Sequence, residues 1–347
     1  MDLLRQMGDP LADQAIVALA ANPQLSETIN AAGTLEEVIQ LELPQAVAAF
    51  FDFYREAPDF IDPSRCKDAR DFFVQNGSRY LSLLGFYALP YCYAFADGAQ
   101  VLIRSKRIIS DIGTRLIETG LFVMEAFRPD GFRHDSPTLL SLAKVRLIHA
   151  FSRMMVMKHA KDWQSSWGVP INQEDQIGTN LAFSLIVIRG MEKTGRRVEK
   201  AVAEDLLHHW KVIGYYLGIQ VEFWPETVKE AYELDKLIRK RHLKTSEAGI
   251  TLVQSLLTFF SQNVPNAQAA QFTEALVAFL LGPEASQALH LKSATSIPKP
   301  VFGLLLESTA WGSQSKSFNI MRKQFLKRAE KQLGHPVELK IPVITRS

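Results

Sequence analysis

Three polar side chains lie at regular spacing in one apolar stretch, and their types suit them to chemistry. Arg146, His149 and Arg153 occur in the segment KVRLIHAFSR, at positions i, i+3 and i+7 of one helical face. The surrounding residues are apolar on nearly all sides, so we expect this helix to be buried. The stripe indicates either a histidine beside two salt-bridged arginines, or a site where guanidinium groups bind a cofactor's carboxylates and a neutral imidazole binds its iron.

A second polar stripe precedes the first. Arg115, Glu118 and Thr119 occupy positions i, i+3 and i+4 of the segment GTRLIETGLF and share a helical face. This pattern is typical of a helix surface on which Arg115 pairs with Glu118. The same pattern is also compatible with polar side chains that line a functional site.

The other histidines offer no shared metal site. His208 and His209 are adjacent, so they point about 100° apart on a helix. His159 follows His149 by ten residues, which is about 15 Å along a helix. An iron ion would therefore be bound by one histidine of this helix.

The elements that must position these residues are predicted to be helices. Helical periodicity dominates, and the pattern predicts an all-α chain of about a dozen helices with little strand. One helix is expected to start at the N-cap Asn172 and stop at Gly195, and others are expected from Glu199 to Tyr216 and from Pro225 to Arg241. The tail after Gly334 is expected to be a short strand or an extended terminus.

The remaining organisation follows from proline positions and charge. We expect one multi-helix domain, in which residues 1–300 form the main helical part and residues 301–347 form a C-terminal helix and tail packed on it. The apolar window from Leu81 to Phe95 is predicted to be a core helix stopped by Pro90 rather than a transmembrane segment. The basic cluster from Arg239 to Lys244 is interpreted as the complement of a helix C-terminus rather than a phosphate site.

Composition excludes several classes of protein. The 347 residues carry 39 basic and 37 acidic side chains, a net charge of +2, which does not favour a dedicated nucleic-acid binder. GxSxG, GxxxxGK[ST], GxGxxG and HExxH are absent, so hydrolase, NTPase and dinucleotide-binding functions lose their usual support. Cys66 and Cys92 form no CxxC pair, and no export signal is recognised, so we expect a cytoplasmic protein.

Several longer segments resemble one protein family. They are TRLIETGLF, KVRLIHAFSR, WQSSWGVPINQEDQIGTNLAFSLIVIRGMEKTG and WKVIGYYLGIQVEFWP, together with the N-terminal GDPLAD. These segments are similar to the catalytic domain shared by latex clearing proteins (rubber oxygenases) and the fungal oxygenase of mycophenolic acid biosynthesis. The resemblance covers residues 8–240. It implies an all-α fold with a globin-like core that holds haem b, and dioxygen chemistry on an apolar, often isoprenoid, substrate.

The resemblance also implies roles for single residues. His149 matches the proximal ligand of the haem iron, and Arg146 and Arg153 are assigned to cofactor binding on the same helix. Arg115 and Thr119 match residues of the distal helix, 34 positions and 30 positions before the histidine. With Glu118 between them, they are the predicted catalytic residues.

This sequence departs from the rubber oxygenases at two distal positions. Glu118 stands where those enzymes have a lysine that can cap the iron, and it could act as an acid or base or hold Arg115 in place. The glutamate proposed as their catalytic base corresponds to a position near Ala99, where Asp97 is the nearest acid. These two departures count against rubber cleavage as such.

The polar group from Asn172 to Asp175 is interpreted as structural. Asn172 would cap the helix, and Glu174 or Asp175 could bond Arg146 or Arg153 and so compete with haem propionates.

The leading hypothesis is a haem b oxygenase whose partners are dioxygen and a hydrophobic small molecule of isoprenoid or lipid-like type; the electron donor is left open. A non-catalytic helical binding protein for a prenyl or lipid-like ligand is the alternative, and a structural interaction protein is a third.

Overall fold

Helices follow one another through the chain with short connections. The computed structural model describes residues 1–104, 111–263, 272–292, 306 and 317–343. Within these ranges β-type pairing is limited to one isolated antiparallel bridge between Phe95 and Leu243. The predicted all-α class is therefore confirmed.

The bounds of the described helices, labelled in chain order, are as follows. They are α1 Asp2–Arg5, α2 Pro10–Ala21, α3 Pro23–Ala31, α4 Leu35–Ile39, α5 Gln45–Asp52, α6 Pro63–Leu83, α7 Leu89–Tyr93, α8 Ala96–Arg104, α9 Ile112–Ala126, α10 Pro137–His159, α11 Gln173–Leu181, α12 Val187–Lys193, α13 Lys200–Tyr216, α14 Val228–His242, α15 Glu247–Asn263, α16 Thr273–Leu281, α17 Pro283–Ala288 and α18 Phe318–Leu333.

Side-chain caps explain where the predicted helices begin. The Asn172 side chain accepts a hydrogen bond from the Asp175 backbone N–H at 2.9 Å, which confirms it as the N-cap of α11. The predicted helix from Glu199 to Tyr216 is confirmed as α13. The helix predicted from Pro225 begins at Val228 instead, because Thr227 supplies the cap oxygen.

The expectation that Pro90 stops its helix is wrong. A π-helical segment, Leu84–Ala88, joins α6 to α7, and α7 continues through Pro90 to Tyr93. In an α-helix the proline ring would collide with the carbonyl four residues earlier, and the wider π turn relieves that clash. A second π segment, Ala182–Ile186, joins α11 to α12 in the same way. The helix that starts after Asn172 therefore runs to Lys193, and Gly195 follows with a φ of +85°.

The helix that carries His149 lies in the middle of the fold. α10 packs against α2, α8, α9 and α13, and its apolar residues belong to the main core. α18 also packs against α9. A Cβ atom at Gly120 would lie 2.9 Å from the ring of Phe325, so this glycine permits the close approach of the two helices.

The C-terminal tail is extended rather than a strand. Asn30 of α3 donates to the Ile341 carbonyl at 2.9 Å and accepts from its N–H at 2.8 Å, which attaches the tail to the N-terminal part of the fold. The predicted division at residue 300 lies outside the described residues and stays a prediction. None of the described helices has the length and apolar composition that crossing a membrane requires.

Candidate functional site

The two polar stripes lie on neighbouring helices. α9 carries Arg115, Glu118 and Thr119, and α10 carries Arg146, His149 and Arg153. A connection of residues 127–136 joins the helices, and they pack against one another. The positive charges of Arg153 and Arg115 both act on the His149 imidazole, so the fold brings the two stripes into one electrostatic environment.

His149 is a neutral imidazole with an unused nitrogen. Burial, together with the positive charges of Arg153 and Arg115, lowers the pKa of His149 to about 4. Its Nδ1 atom is buried and has no hydrogen-bond partner in the part of the chain that the structure describes. His159, the other histidine of this helix, is exposed at the last position of α10. His149 therefore has the protonation state and the unsatisfied polar atom expected of a ligand-binding histidine.

The arginines on either side of His149 are paired with acids from α2. Arg146 donates to both carboxylate oxygens of Asp9, from Nε at 2.6 Å and from Nη2 at 2.9 Å. Arg153 donates from Nη1 to Asp13 at 2.9 Å and from Nη2 to the Ile171 carbonyl at 3.2 Å. Each arginine keeps one buried nitrogen without a partner among the described residues, Nη1 of Arg146 and Nε of Arg153.

The pair of Arg146 and Asp9 is closed off from water. The guanidinium group lies over the Phe53 ring, 4.6 Å from its centroid. Gly218, with a φ of +81°, passes so close that a Cβ would lie 2.5 Å from the Asp9 carboxylate and 2.6 Å from Arg146 Nε. A glycine is required there both for the left-handed conformation and for the contact.

The second stripe forms the predicted helix ladder. Arg115 Nη1 donates to Glu118 Oε2 at 3.1 Å, and the Thr119 hydroxyl donates to the Arg115 carbonyl at 2.8 Å. The Glu118 side chain is 16% exposed and that of Arg115 is 34% exposed, so the pair lies at the edge of the core. Arg115 Nε is buried and has no partner among the described residues. The predicted pairing of Arg115 with Glu118 is thus confirmed.

The acids at the start of α11 do not contact Arg146 or Arg153, so that expectation is wrong. Glu174 accepts from Arg241 Nε at 2.7 Å and lies 3.0 Å from His242 Nε2. Asp175 accepts from Arg5 Nη1 at 3.0 Å. These acids are directed away because α1 and α14 bring closer cations to them. The basic end of α14 is therefore neutralised by carboxylates of this chain.

Asp97 belongs to the same ionic cluster. It lies 3.3 Å from His242 Nδ1 and 3.1 Å from Lys244 Nζ, and Arg5 lies 3.8 Å away. Burial alone would raise its pKa, but the hydrogen bonds from His242 and Lys244 outweigh burial, so the pKa is lowered. A carboxylate whose pKa is lowered by these cations is a poor general base.

A groove on another part of the described surface is separate from this site. It has a volume of about 800 Å³ and lies between α3, α9, α10, α18 and the C-terminal tail. Its lining includes Leu121, Lys144 and Arg322 but none of the six predicted site residues.

Haem is the group that the family resemblance implies, and the residues fit it in part. The neutral imidazole of His149 could bind the iron through a ring nitrogen, and the nitrogens of Arg115, Arg146 and Arg153 that have no partner among the described residues could donate to the cofactor's carboxylates. No group of three or more His, Cys, Asp or Glu side chains in the described ranges could hold a metal ion. A single protein ligand, as in a haem site, is compatible with that finding.

Two acids of this site were not predicted from the sequence. Asp9 and Asp13 were part of the recognised GDPLAD segment, but they were not assigned as partners of the arginines. Their spacing of i and i+4 on one helix, opposite two buried arginines, was the available signal.

The fold and the site together define an all-α protein with a half-buried imidazole between two ion-paired arginines, and the buried Nδ1 of this imidazole has no partner among the described residues. The family described as "ER-bound oxygenase mpaB/B'/Rubber oxygenase, catalytic domain" matches residues 93–306, and this chain belongs to that family.

Individual relatives are distant. The Rubber oxygenase of Streptomyces sp. (strain K30) is 24% identical over 271 residues, which cover 78% of this chain and 65% of that protein. The chain thus spans slightly less than two thirds of that relative's length. The solved structure of Latex Clearing Protein LCP in the closed state matches with a TM-score of 0.73 and 19% identity, over 93% of this chain and 91% of that one. This likeness shows that the two chains share a fold.

Proposed function

We propose that this protein is a haem b-dependent oxygenase that acts on a hydrophobic substrate of isoprenoid or lipid-like type. Its family of oxygenase catalytic domains supports the reaction class. In this proposal the helices around α10 form a globin-like core, and His149 is the proximal ligand of the iron. Bound haem supplies dioxygen activation, and dioxygen and the hydrophobic molecule are the two reactants.

The observation that carries the proposal is the state of His149. A buried polar atom normally has a hydrogen-bond partner, but the buried Nδ1 of His149 has none among the described residues, and the pKa of the imidazole is about 4. A histidine that stays neutral at pH 7 can bind a metal without first losing a proton. The free nitrogens of Arg146 and Arg153 would donate to the carboxylates of the cofactor on the same side.

The residues of α9 would form the other side of the site. Glu118 is held by Arg115, so its carboxylate can accept or release a proton at a fixed place. The Thr119 hydroxyl donates to its own helix, which leaves its oxygen lone pairs available as acceptors. These three residues would orient dioxygen and move a proton near it.

The expected location is the cytoplasm. Cys66 and Cys92 are both free thiols, and burial raises the pKa of Cys66 to about 11 and that of Cys92 to about 12. Thiols with such high pKa values react slowly, which agrees with a protein that needs no disulfide.

A visible spectrum of the purified protein tests the proposal. We expect a Soret band near about 400 nm in the full chain, as for a histidine-ligated haem protein. His149→Ala should lose the band and keep its helical circular dichroism, because only the iron ligand is removed.

His159→Ala is the matched control, since His159 lies on the same helix but is exposed. Its spectrum should equal that of the unmodified protein. A full haem complement in His149→Ala would refute the assignment of the ligand. A protein that takes up no haem but binds a prenyl ligand would instead be the non-catalytic alternative.

A further inference from the structure

The N-terminal segment is attached to α10 on both sides of His149. Asp9 pairs with Arg146, which precedes His149 by three residues, and Asp13 pairs with Arg153, which follows it by four. The side chains of Arg146 and Arg153 are each 5% exposed, so both cations are buried. The residues that match the family model, 93–306, do not include either acid.

The two ion pairs fix the position of α10 relative to α2. Asp9 caps α2 and Asp13 follows it by one turn, so both carboxylates lie on one face of that helix. Arg146 and Arg153 are about 10 Å apart along α10, at 1.5 Å per residue. Two contacts so far apart on one helix prevent it from sliding or rotating at the residue between them.

The same acids balance charge around the imidazole. Without Asp9 and Asp13, two buried guanidinium charges would stand within two turns of His149. A buried charge that has lost its partner is strongly unfavourable, and it acts on neighbouring groups over longer distances than a solvated charge. The negative charge of Asp9 raises the pKa of His149, whereas the charges of Arg153 and Arg115 lower it.

We propose that Asp9 and Asp13 are positioning residues for His149. They hold the histidine's helix in place and neutralise Arg146 and Arg153, so the N-terminal segment sets both the geometry and the charge of the iron-binding side. This inference rests on the proposed function, in which His149 binds haem iron. Changes to such outer partners typically weaken metal binding about 10-fold to 100-fold.

Asp13→Asn is the first variant, because the Asp13 side chain is 37% exposed and the change keeps its size. In the haem-loaded full chain, we expect haem to leave on the order of tenfold faster, measured by transfer to apomyoglobin. We also expect the reduction potential to shift upward, because a negative charge near the iron has been removed. Asp13→Glu should restore both values.

Asp205→Asn is the matched control. Asp205 accepts from Arg65 Nε at 3.0 Å, and Arg65 also donates to a backbone carbonyl, as Arg153 does. This ion pair joins α6 to α13, away from His149. The control should change neither the rate of haem loss nor the potential.

A third measurement covers variants that fold but do not retain haem. Hydrogen exchange of backbone amides 146–153 is compared in haem-free unmodified protein, Asp13→Asn and Asp205→Asn. We expect faster exchange in Asp13→Asn alone.

Equal haem loss and potential in Asp13→Asn and the unmodified protein would overturn the inference, as would equal exchange in the haem-free forms. A potential shift that Asp13→Glu does not reverse would also overturn it, because charge would not be the cause. If the unmodified protein takes up no haem, the proposed function fails. The exchange comparison then still decides whether Asp13 holds α10.

Discussion

At the residue scale, the main feature of this site is a contrast between neighbours on one helix. Arg146 and Arg153 have carboxylate partners, whereas the Nδ1 of His149 between them has none in the described chain. Leaving a buried polar atom unpaired costs about 1–3 kcal/mol, so a fold that needed only stability would satisfy it or replace it. The histidine is therefore the residue most readily explained by a ligand.

Glu118 carries the first residue-scale prediction. Glu118 stands where the family resemblance implies a lysine, and its carboxylate pairs with Arg115, so α9 itself offers no lysine to the iron at this position. We expect a high-spin ferric haem, five-coordinate or water-bound, that takes up cyanide or imidazole readily. Glu118→Lys should move the spectrum toward a six-coordinate form. Electron paramagnetic resonance and resonance Raman spectra of the ferric protein measure the change.

Glu118→Gln is the matched variant for proton transfer. It keeps the size of the side chain and removes its charge, so it should slow a proton-dependent step without changing haem content. A low-spin resting state that no change at Glu118 affects would mean that another side chain caps the iron, and this account of the distal side would then be wrong.

At the scale of elements, local sequence signals account for helix starts and for helix faces. Asn172 was recognised as a cap because its amide and the acids after it satisfy free N–H groups, and α11 starts there. The two polar stripes were recognised from spacing alone, and both lie on helices as expected.

Other features depend on distant contacts and could not be read from local patterns. Asp9 and Arg146 are 137 residues apart in the chain, and the local sequence around either residue does not indicate its partner. The π segment that carries α6 past Pro90 packs against α6, α7 and α12, and no local pattern in the sequence indicated it. The site could therefore be predicted as two stripes but not as a set of ion pairs.

Asn172→Ala tests how much the α11 cap contributes. The Asn172 side chain is fully buried, and besides capping it donates to the Val169 carbonyl at 2.9 Å and to Asp175 at 2.8 Å. We expect a loss of about 2 kcal/mol in the free energy of unfolding, the upper end for a cap. Denaturant unfolding measures it.

Asn22→Ala is the control, because Asn22 also caps a helix, α3, but from an exposed position. The Asn22→Ala variant should lose about 0.5–1 kcal/mol of the free energy of unfolding. Equal losses in the two variants would show that the buried hydrogen bonds of Asn172 add nothing to stability.

At the scale of the whole molecule, one ionic cluster connects the N-terminus to the rest of the fold. Arg5 of α1 reaches carboxylates on α8 and α11, and His242 of α14 lies between the same acids. The segment that follows Arg5 leads to Asp9 and Asp13 of α2, which pair with arginines of α10. The cluster therefore anchors the same N-terminal segment that pairs with the helix of His149.

His242 makes the strength of this cluster depend on pH. Burial alone would lower its pKa, but hydrogen bonds to Asp97 and Glu174 outweigh burial, so the pKa is raised above 6.5. A raised pKa in the folded state means that the folded protein holds this proton more tightly than the unfolded chain does. The stabilisation is complete below about pH 6.5, the unfolded value, and is lost as the pH rises through the folded value.

His242→Gln should therefore destabilise the protein more at pH 6 than at pH 9, because His242 adds a positive charge beside Asp97 and Glu174 only when its imidazole is protonated. The melting temperatures of the variant and the unmodified protein, measured at both pH values, give the comparison. His159→Gln, at the exposed end of α10, should change the melting temperature by the same small amount at pH 6 and at pH 9. A His242→Gln difference that stayed constant or grew toward pH 9 would contradict this account, since the neutral imidazole would then be the stabilising form.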